Sequence, residues 1–219
     1  RTGPQEVLEE LPKFFDSMDQ PTIDGLNTYF VSKVTRETGT IVALSGVGGD
    51  ELFGGYPSFR RVPQLYRLAR LVHMFPRIGK IICGTVFPFL SKSKVDKLGV
   101  LLDGQPSLES AYLAVRGLFL GDEWASMTRA EISQDTKGHF SSLEYLKNLS
   151  QECRDADAFN KVSWLEMRSY LHNQLLRDTD VMGMAHALEI RAPFLDHRLV
   201  ELMAKIPPVI KIGQRPKSL

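Results

Sequence analysis

From Glu6 the apolar positions fall at Leu8, Leu11, Phe14, Phe15 and Met18. That spacing is one face of a helix at 3.6 residues per turn. Pro21 ends the pattern, because proline lacks an amide donor and restricts the residue before it. A second helix is expected from there, with Thr22 at or near its N-cap and Ile23, Leu26, Phe30 and Val34 as its buried stripe. Gly39 stands where a helix closes on a left-handed residue.

The next run, Thr40-Ile41-Val42-Ala43-Leu44, is short, apolar and bounded by Gly39 and Gly46. It reads as a strand buried on both faces, hence as part of a parallel sheet. No other segment reads as a strand, so its partners are expected outside this chain, on the N-terminal side. After residue 56 the pattern is helical almost throughout. Leu65, Leu68, Ala69 and Val72 form one stripe; Trp164, Met167, Leu171 and Leu175 form a second, read as core; Leu195, Leu199, Leu202 and Met203 form a third. Residues 76–150 carry weaker patterns broken by Pro76, Pro88, Gly99, Gly104, Pro106 and Gly121, and read as shorter helices and loops. No internal repeat or low-complexity tract interrupts this organisation.

Composition narrows the function. Twenty-seven Lys and Arg against 26 Asp and Glu leave +1 over 219 residues, which argues against a nucleic-acid binder that would track phosphates with a basic excess. With 43% hydrophobic residues the chain is not disordered. The longest apolar stretch, Ile81 to Leu90, is too short to span a bilayer, so no membrane association is expected. Cys83 and Cys153 show no CxxC spacing and read as free thiols in a reducing, cytoplasmic compartment. The histidines at 73, 139, 172, 186 and 197 show no paired-ligand spacing and read as surface or capping residues. Arg1 at the start and Arg215-Pro216-Lys217-Ser218-Leu219 at the end read as cuts within a longer protein.

The richest stretch is Ser45-Gly46-Val47-Gly48-Gly49-Asp50-Glu51-Leu52-Phe53-Gly54-Gly55-Tyr56. An apolar strand runs into a serine and nearby glycines, then into two acids and a short helical pattern. Glycine permits positive φ and close approach of a ligand to the main chain. Successive N–H groups in such a turn can form an anion-binding concavity, with the helix start adding partial positive charge. Ligands of open α/β sheets sit at the carboxyl ends of the strands, where this loop falls. Asp50 suits Mg²⁺ bridged to phosphate oxygens. The stretch also fits a plain structural turn, with Asp50 and Glu51 complementing the helix dipole, and it matches neither a Walker A loop nor a dinucleotide fingerprint.

Residues 45–56 resemble the second signature of the synthetase domain of asparagine synthetases. Leu176-Arg-Asp-Thr-Asp180, followed by Met184-Ala-His-Ala-Leu-Glu-Ile-Arg-Ala-Pro-Phe-Leu-Asp196, resembles the family stretch ending in Glu-x-Arg-x-Pro-Phe-Leu-Asp. Gly213-Gln-Arg-Pro-Lys217 resembles its lysine-bearing loop, and Asp24-Gly-Leu-Asn-Thr-Tyr29 fits bacterial members. The matches come in family order from about residue 21 to the end.

The resemblance implies a truncated α/β sheet of the adenine-nucleotide alpha-hydrolase-like (ATP-pyrophosphatase) type, predominantly helical in this chain. Residues 1–56 would end the nucleotide-binding region, and 57–219 would form the helical C-terminal part. It implies a cytoplasmic ligase that adenylates the aspartate side chain with ATP and Mg²⁺. Ammonia made from glutamine in a separate N-terminal domain then yields asparagine. A homodimer is compatible with it. By the same resemblance Ser45, Gly46, Gly48 and Gly49 would contact nucleotide or pyrophosphate. Asp50 would hold magnesium, and Lys217 would neutralise the phosphates as pyrophosphate leaves. Glu51, Arg177, Asp178 and Asp180 are candidates for the substrate pocket, while Glu189, Arg191 and Asp196 read as a buried ion-pair network ordering the loop before the last helix.

Two departures stand out. Val47 replaces a glutamate of well-studied members, and valine can neither accept a proton nor pair with ammonium. The Ser-Gly-Gly-x-Asp-Ser phosphate loop and the catalytic cysteine of the glutaminase domain are absent from these residues, so the chain alone is expected to neither make asparagine nor hydrolyse glutamine. Two other readings stay open. One is another ATP-dependent amide-forming enzyme, such as a β-lactam synthetase-like enzyme, a peptide cyclase or a polysaccharide amidotransferase. The other is a non-catalytic helical interaction module.

Overall fold

Pro4 occupies the first position of helix α1 (Pro4–Ser17), where its missing N–H would have had no helical acceptor anyway. The computed structural model describes residues 3–75, 92–102, 104–118 and 141–211. On α1 the expected stripe is only half used. Phe14 is buried and Leu11 and Met18 pack beside it, whereas Leu8 and Phe15 are exposed. Two compact units divide the chain: residues 1–55 with 166–219, and residues 56–165.

In the first unit, α2 (Gly25–Glu37) follows the proline break as expected, but its buried face is Gly25, Tyr29 and Ser32. This corrects the stripe read from the sequence: Ile23 and Val34 are exposed, and Leu26 and Phe30 are only partly buried. Gly25 is small because a Cβ there would run into the Thr22 side chain, its Cβ only 3.2 Å away; α2 packs against helix α9 (Leu176–Met184). Thr22 accepts the Gly25 N–H at 2.9 Å and so serves the helix start.

Strand β1 (Val42–Leu44) forms where the apolar run predicts it, yet two expectations about it fail. It pairs in parallel with β2 (Glu189–Arg191), in register Val42 with Glu189, Ala43 with Ile190 and Leu44 with Arg191. A partner therefore lies within the chain, in a stretch that reads as a loop. Its faces are also open: Ile41 is 62% exposed and Leu44 77%. Each strand follows its helix through a short connection, α2 into β1 and α9 into β2. Such helices run back along their strands. The starts of α2 and α9 therefore lie at the carboxyl end of the strand pair.

The turn from α9 to β2 is a Schellman motif. Leu188 N–H donates to Gly183 O at 3.0 Å and Ala187 N–H to Met184 O at 2.9 Å. Its left-handed position, normally glycine, is Ala187 at φ 53°. Gly183 lets α9 lie directly on β2, since a Cβ there would stand 3.0 Å from Leu188 O and from Ile190 Cδ1. After β2 come a 3-10 turn (Pro193–Leu195), α10 (His197–Lys205) and the single turn α11 (Pro208–Lys211). On α10 only Met203 is buried, and Leu202 of the expected stripe is 55% exposed.

Among the described residues the second unit is helical, as the sequence predicts, with α4 (Ser58–Met74), α5 (Lys92–Leu102), α6 (Leu108–Arg116), α7 (Ser142–Gln151) and α8 (Ala158–Leu165). Its core centres on Phe59, Val62, Ala111, Tyr112, Val162 and Leu165. Ser107 and Ser110 cap α6 reciprocally, each hydroxyl accepting the other's N–H at 3.1 Å. Trp164 packs as core, its indole N–H donating to Leu149 O at 3.0 Å. Cys153 is a free thiol, and burial pushes its pKa up. Pro76, Pro88, Cys83, Gly121 and His139 lie outside the described residues. Among the described residues no helix is long and apolar enough to cross a membrane.

Candidate functional site

The glycine-rich loop leaves the sheet at Ser45, whose N–H donates to Arg191 O at 2.8 Å and extends the β1–β2 pairing by one bond. Ser45 Oγ then accepts the Val47 N–H at 3.3 Å, and Gly49 N–H donates to Gly46 O at 3.1 Å. These bonds leave the N–H groups of Gly46 and Gly48 without an acceptor among the described residues. Gly46 is exposed, and nothing lies within 4 Å of where its Cβ would be. Two main-chain donors are thus available on a turn at the carboxyl end of a parallel strand pair, a setting that suits anionic oxygens.

The helix that follows, α3 (Gly49–Phe53), has five residues. It is too short to supply the helix-end charge that the sequence suggests. The loop's own N–H groups remain as donors without it. Asp50 turns its carboxylate over Gly55, with its Cγ 2.6 Å from where a Cβ would stand on that glycine. Glu51 is 1% exposed and held by other protein groups, so its carboxylate does not open to solvent. Val47 is partly buried. Among the described residues no three His, Cys, Asp or Glu side chains gather as a metal-binding group. A divalent ion here would need phosphate oxygens beside Asp50, and Mg²⁺ accepts that arrangement readily.

The second resembling stretch packs against the first. A Cβ on Gly48 would stand 2.9 Å from Leu195 Cγ and 3.5 Å from Phe194 Cβ; one on Gly49 would touch the Phe194 ring at 3.4 Å. Phe194 also meets Phe53 edge-on, with centroids 5.8 Å apart. The expected buried network at 189–196 is corrected. Arg191 Nε bonds Glu189 Oε1 at 2.8 Å, but both side chains are more than half exposed. Asp196 accepts the Arg198 N–H at 2.9 Å and starts α10. Outward-facing strand positions keep these charges solvated, so no burial has to be compensated.

Arg177, Asp178 and Asp180 open α9 at the same end of the sheet. Two of them are engaged with the 19–24 segment. Arg177 Nη2 pairs with Asp19 Oδ2 at 2.6 Å, and Thr22 Oγ1 donates to Asp178 Oδ2 at 2.5 Å. The π-helix Glu166–Leu175 adds two more ties: Tyr170 OH donates to Asp24 Oδ2 at 2.7 Å, and Gln20 Nε2 to Asn173 O at 2.7 Å. Asp178 is 3% exposed; burial pushes its pKa up, the Thr22 hydroxyl opposes this, and Asp24 and Asp19 add to it. Asp180 stays exposed. The expected pocket residues are thus brought beside the loop's end of the fold, with Arg177 and Asp178 holding backbone segments together. Lys217 lies outside the described residues.

Sequence reasoning missed a charged cluster at the other end of α9. Glu10 accepts from Lys13 at 2.9 Å and from the Tyr29 hydroxyl at 3.0 Å, with Lys33 at 3.4 Å. Lys13 foremost, then Tyr29 and Lys33, hold the Glu10 carboxyl at about 2. Burial and the Glu10 contact push Tyr29 up. His186 meets Tyr29 edge-on with ring centroids 4.3 Å apart, is only partly buried, and its pKa is pushed down by burial. These groups line a cleft of about 370 Å³ that holds none of the loop residues. The available signal was the spacing of Glu6, Glu10 and Lys13 on one helix face.

Comparison with known proteins gives these motifs a family. The family model described as asparagine synthase matches residues 1–218. Asparagine synthetase [glutamine-hydrolyzing] 1 of Bacillus subtilis is 28% identical over 211 residues, covering 95% of this chain and 32% of that protein. A putative asparagine synthetase [glutamine-hydrolyzing] of Mycobacterium tuberculosis is 26% identical over 209 residues, covering 94% and 30%. Amidase chry2 of Gibberella zeae is 23% identical over 218 residues, covering 94% and 31%. The chain therefore spans about a third of the length of the curated relatives it matches. No solved structure matches. With the family model running along nearly the whole length, and with both signature stretches folded against each other, the chain belongs to the asparagine synthase family.

Proposed function

We propose that the loop Ser45–Asp50 receives the phosphates of ATP and that the full-length protein makes an amide through an acyl-adenylate, with aspartate as the acceptor. One observation carries the reading: Gly46 and Gly48 present two uncommitted N–H groups at the carboxyl end of the parallel pair. The Ser45 hydroxyl and Gly49 frame them, and the turn suits anionic oxygens. The fold type consistent with this is an ATP-pyrophosphatase sheet continued by strands beyond this chain, with residues 57–219 as its helical part.

The chemistry follows from what a carboxylate lacks. It is a poor electrophile towards an amine. Attack of a side-chain carboxylate oxygen on the α-phosphorus of ATP forms a mixed anhydride, breaks the bond to the β-phosphate and releases pyrophosphate. Ammonia then attacks the acyl carbon, the C–O bond to AMP breaks with its electron pair, and one proton leaves the nitrogen. Mg²⁺ beside Asp50 would supply charge neutralisation on the departing diphosphate. The chain's own contribution is positioning: the main-chain donors of the loop fix the phosphates, and Lys217 adds a cation to them. Arg177 and Asp178 brace the segment beside the acceptor, with Asp180 at its border and Glu51 buried in α3. Ammonia would come from glutamine in a domain preceding this chain, in keeping with the glutamine-hydrolyzing synthetases among its relatives. A cytoplasmic homodimer is consistent with the family.

A second reading is favoured by Val47 and by the amidase among the relatives. In it the same adenylation serves a different carboxylate. The full-length protein, given MgATP, ammonium and either aspartate or other carboxylates, decides between them. Aspartate-dependent AMP release matched by asparagine supports the first reading. AMP release only with another carboxylate supports the second. No AMP with any carboxylate overturns both and leaves a non-catalytic module.

A further inference from the structure

A loop built on glycines has to be held by something else. Gly48 sits at φ 93°, buried, in the middle of the candidate phosphate loop. Glycine populates both signs of φ about equally, so its sequence alone does not choose this conformation. The neighbouring bonds choose it only in part. Ser45 is fixed to β2 through Arg191 O, but Gly46 and Gly48 donate to nothing among the described residues. Rotation of the peptides around Gly48 would re-aim its own N–H, while the Gly46 N–H stays with the peptide that follows Ser45.

The side chain that fills the space where a Cβ of Gly48 would be belongs to Leu195, four residues beyond the end of β2. Leu195 is itself well fixed. Its N–H donates to Ala192 O at 3.0 Å, and Asp196 N–H donates to Pro193 O at 3.2 Å, closing the 3-10 turn. Phe194 secures the same turn from the other side, lying against Gly49 and edge-on to Phe53. Proline at 193 pre-sets the entry.

We propose that Leu195 is a positioning residue of the phosphate loop: packed on Gly48, it holds the left-handed conformation that aims the Gly48 N–H at the nucleotide beside that of Gly46. The inference rests on the loop being the nucleotide loop. It explains why the two resembling stretches, 45–56 and 184–196, occur together: one supplies the donors and the other supplies the wedge that orients them. A leucine here never touches substrate. It acts by keeping the donors pre-aimed, so that binding ATP does not have to order them.

The experiment uses the full-length protein with Leu195→Ala, Leu195→Met and, as a control on the same helical region, Leu202→Ala. Two readouts are taken: amide hydrogen exchange at Gly49, whose N–H is bonded to Gly46 O, and at the β1 strand, and the steady-state constants for MgATP and for aspartate. In Leu195→Ala, exchange at Gly49 should rise about tenfold with β1 unchanged, as local opening without global loss. The KM for MgATP should rise roughly tenfold while that for aspartate moves less than about twofold, separating a nucleotide effect from a general one. Leu195→Met should restore both, and Leu202→Ala should change neither. Unchanged exchange at Gly49 in folded Leu195→Ala overturns the proposal, as does an equal shift in both KM values. If Leu195→Ala does not fold, Leu195→Val is read the same way. If the wild-type protein releases no AMP, the functional reading fails instead, and the exchange data still judge the wedge.

Discussion

Gly48→Ala and Gly46→Ala are the same chemical change two residues apart, and the structure assigns them opposite outcomes. At 48 the new methyl meets two penalties. The backbone is at φ 93°, a left-handed conformation that costs an L-residue about 1–3 kcal/mol. The methyl also lands on Leu195, whose Cγ would be 2.9 Å away, so the wedge or the loop must shift at about 1–3 kcal/mol more. Together Gly48→Ala should destabilise the chain by roughly 2–6 kcal/mol. At 46 the methyl enters open space with nothing within 4 Å, and the effect should stay within about 0.5 kcal/mol. Urea unfolding of both variants, followed by circular dichroism and checked for an unchanged m-value, measures the difference. If Gly48→Ala loses less than about 0.5 kcal/mol, the packing of the two signature stretches is not what the geometry states. Equal losses at both positions would instead show that the loop dislikes any side chain, wedge or none.

Three further outcomes follow from the same unit. Ala187→Gly places the usual residue in the left-handed position of the Schellman turn, and should raise stability by about 0.5–1 kcal/mol in urea unfolding. Glu10 sits at about 2 against an ordinary 4.5, so the native state holds fewer protons than the unfolded one; its stabilisation is complete above 4.5 and is lost as pH falls towards 2. Glu10→Gln should flatten that acid limb in melting temperatures measured from pH 6 downwards. Asp178 has the opposite sign: its raised pKa means the native state keeps a proton the unfolded state releases, so stability is lost as pH rises above the usual carboxylate value. Asp178→Asn, which still accepts from Thr22, should therefore be at least as stable as wild type at neutral pH, and a clear loss there would refute the burial argument.

Much of the first unit is legible in the sequence because its signals are local. Pro4 and Pro21 bracket α1, and the run 40–44 marks β1. β2 is not legible: Glu189-Ile190-Arg191 carries one apolar residue between two charges, and its faces are open, so no hydrophobic pattern marks it. The buried face of α2 is hidden for a related reason. Thr22 fills the Cβ position of Gly25, and Gly25 and Ser32 are residues that a hydrophobic stripe skips, while Tyr29 is kept by a hydroxyl bond to Glu10. Arg177 and Asp178 look like pocket residues by chemistry alone. Their partners at Asp19 and Thr22 are more than 150 positions away in sequence, and no spacing rule reaches that far.

The weak, three-residue strand pair nonetheless decides the geometry of the candidate site. Side chains alternate faces along a strand, and a slip of one residue moves every one of them to the other side. With Leu44 level with Arg191, Ser45 N–H reaches Arg191 O, and the turn at 193–195 arrives over Gly48 and Gly49. A shift of β2 by one residue would carry Ile190 off the close approach of Gly183 and would move Leu195 by about 3.3 Å along the strand direction. Gly48 would then lose the side chain that fills its Cβ position. The two contacts thus enforce one another: Gly183 against Ile190 sets the register from the helix side, and Leu195 against Gly48 reads that register out at the loop. A glycine at 183 and a glycine at 48, 135 positions apart, serve a single alignment of β2, and that alignment aims the donors of the loop.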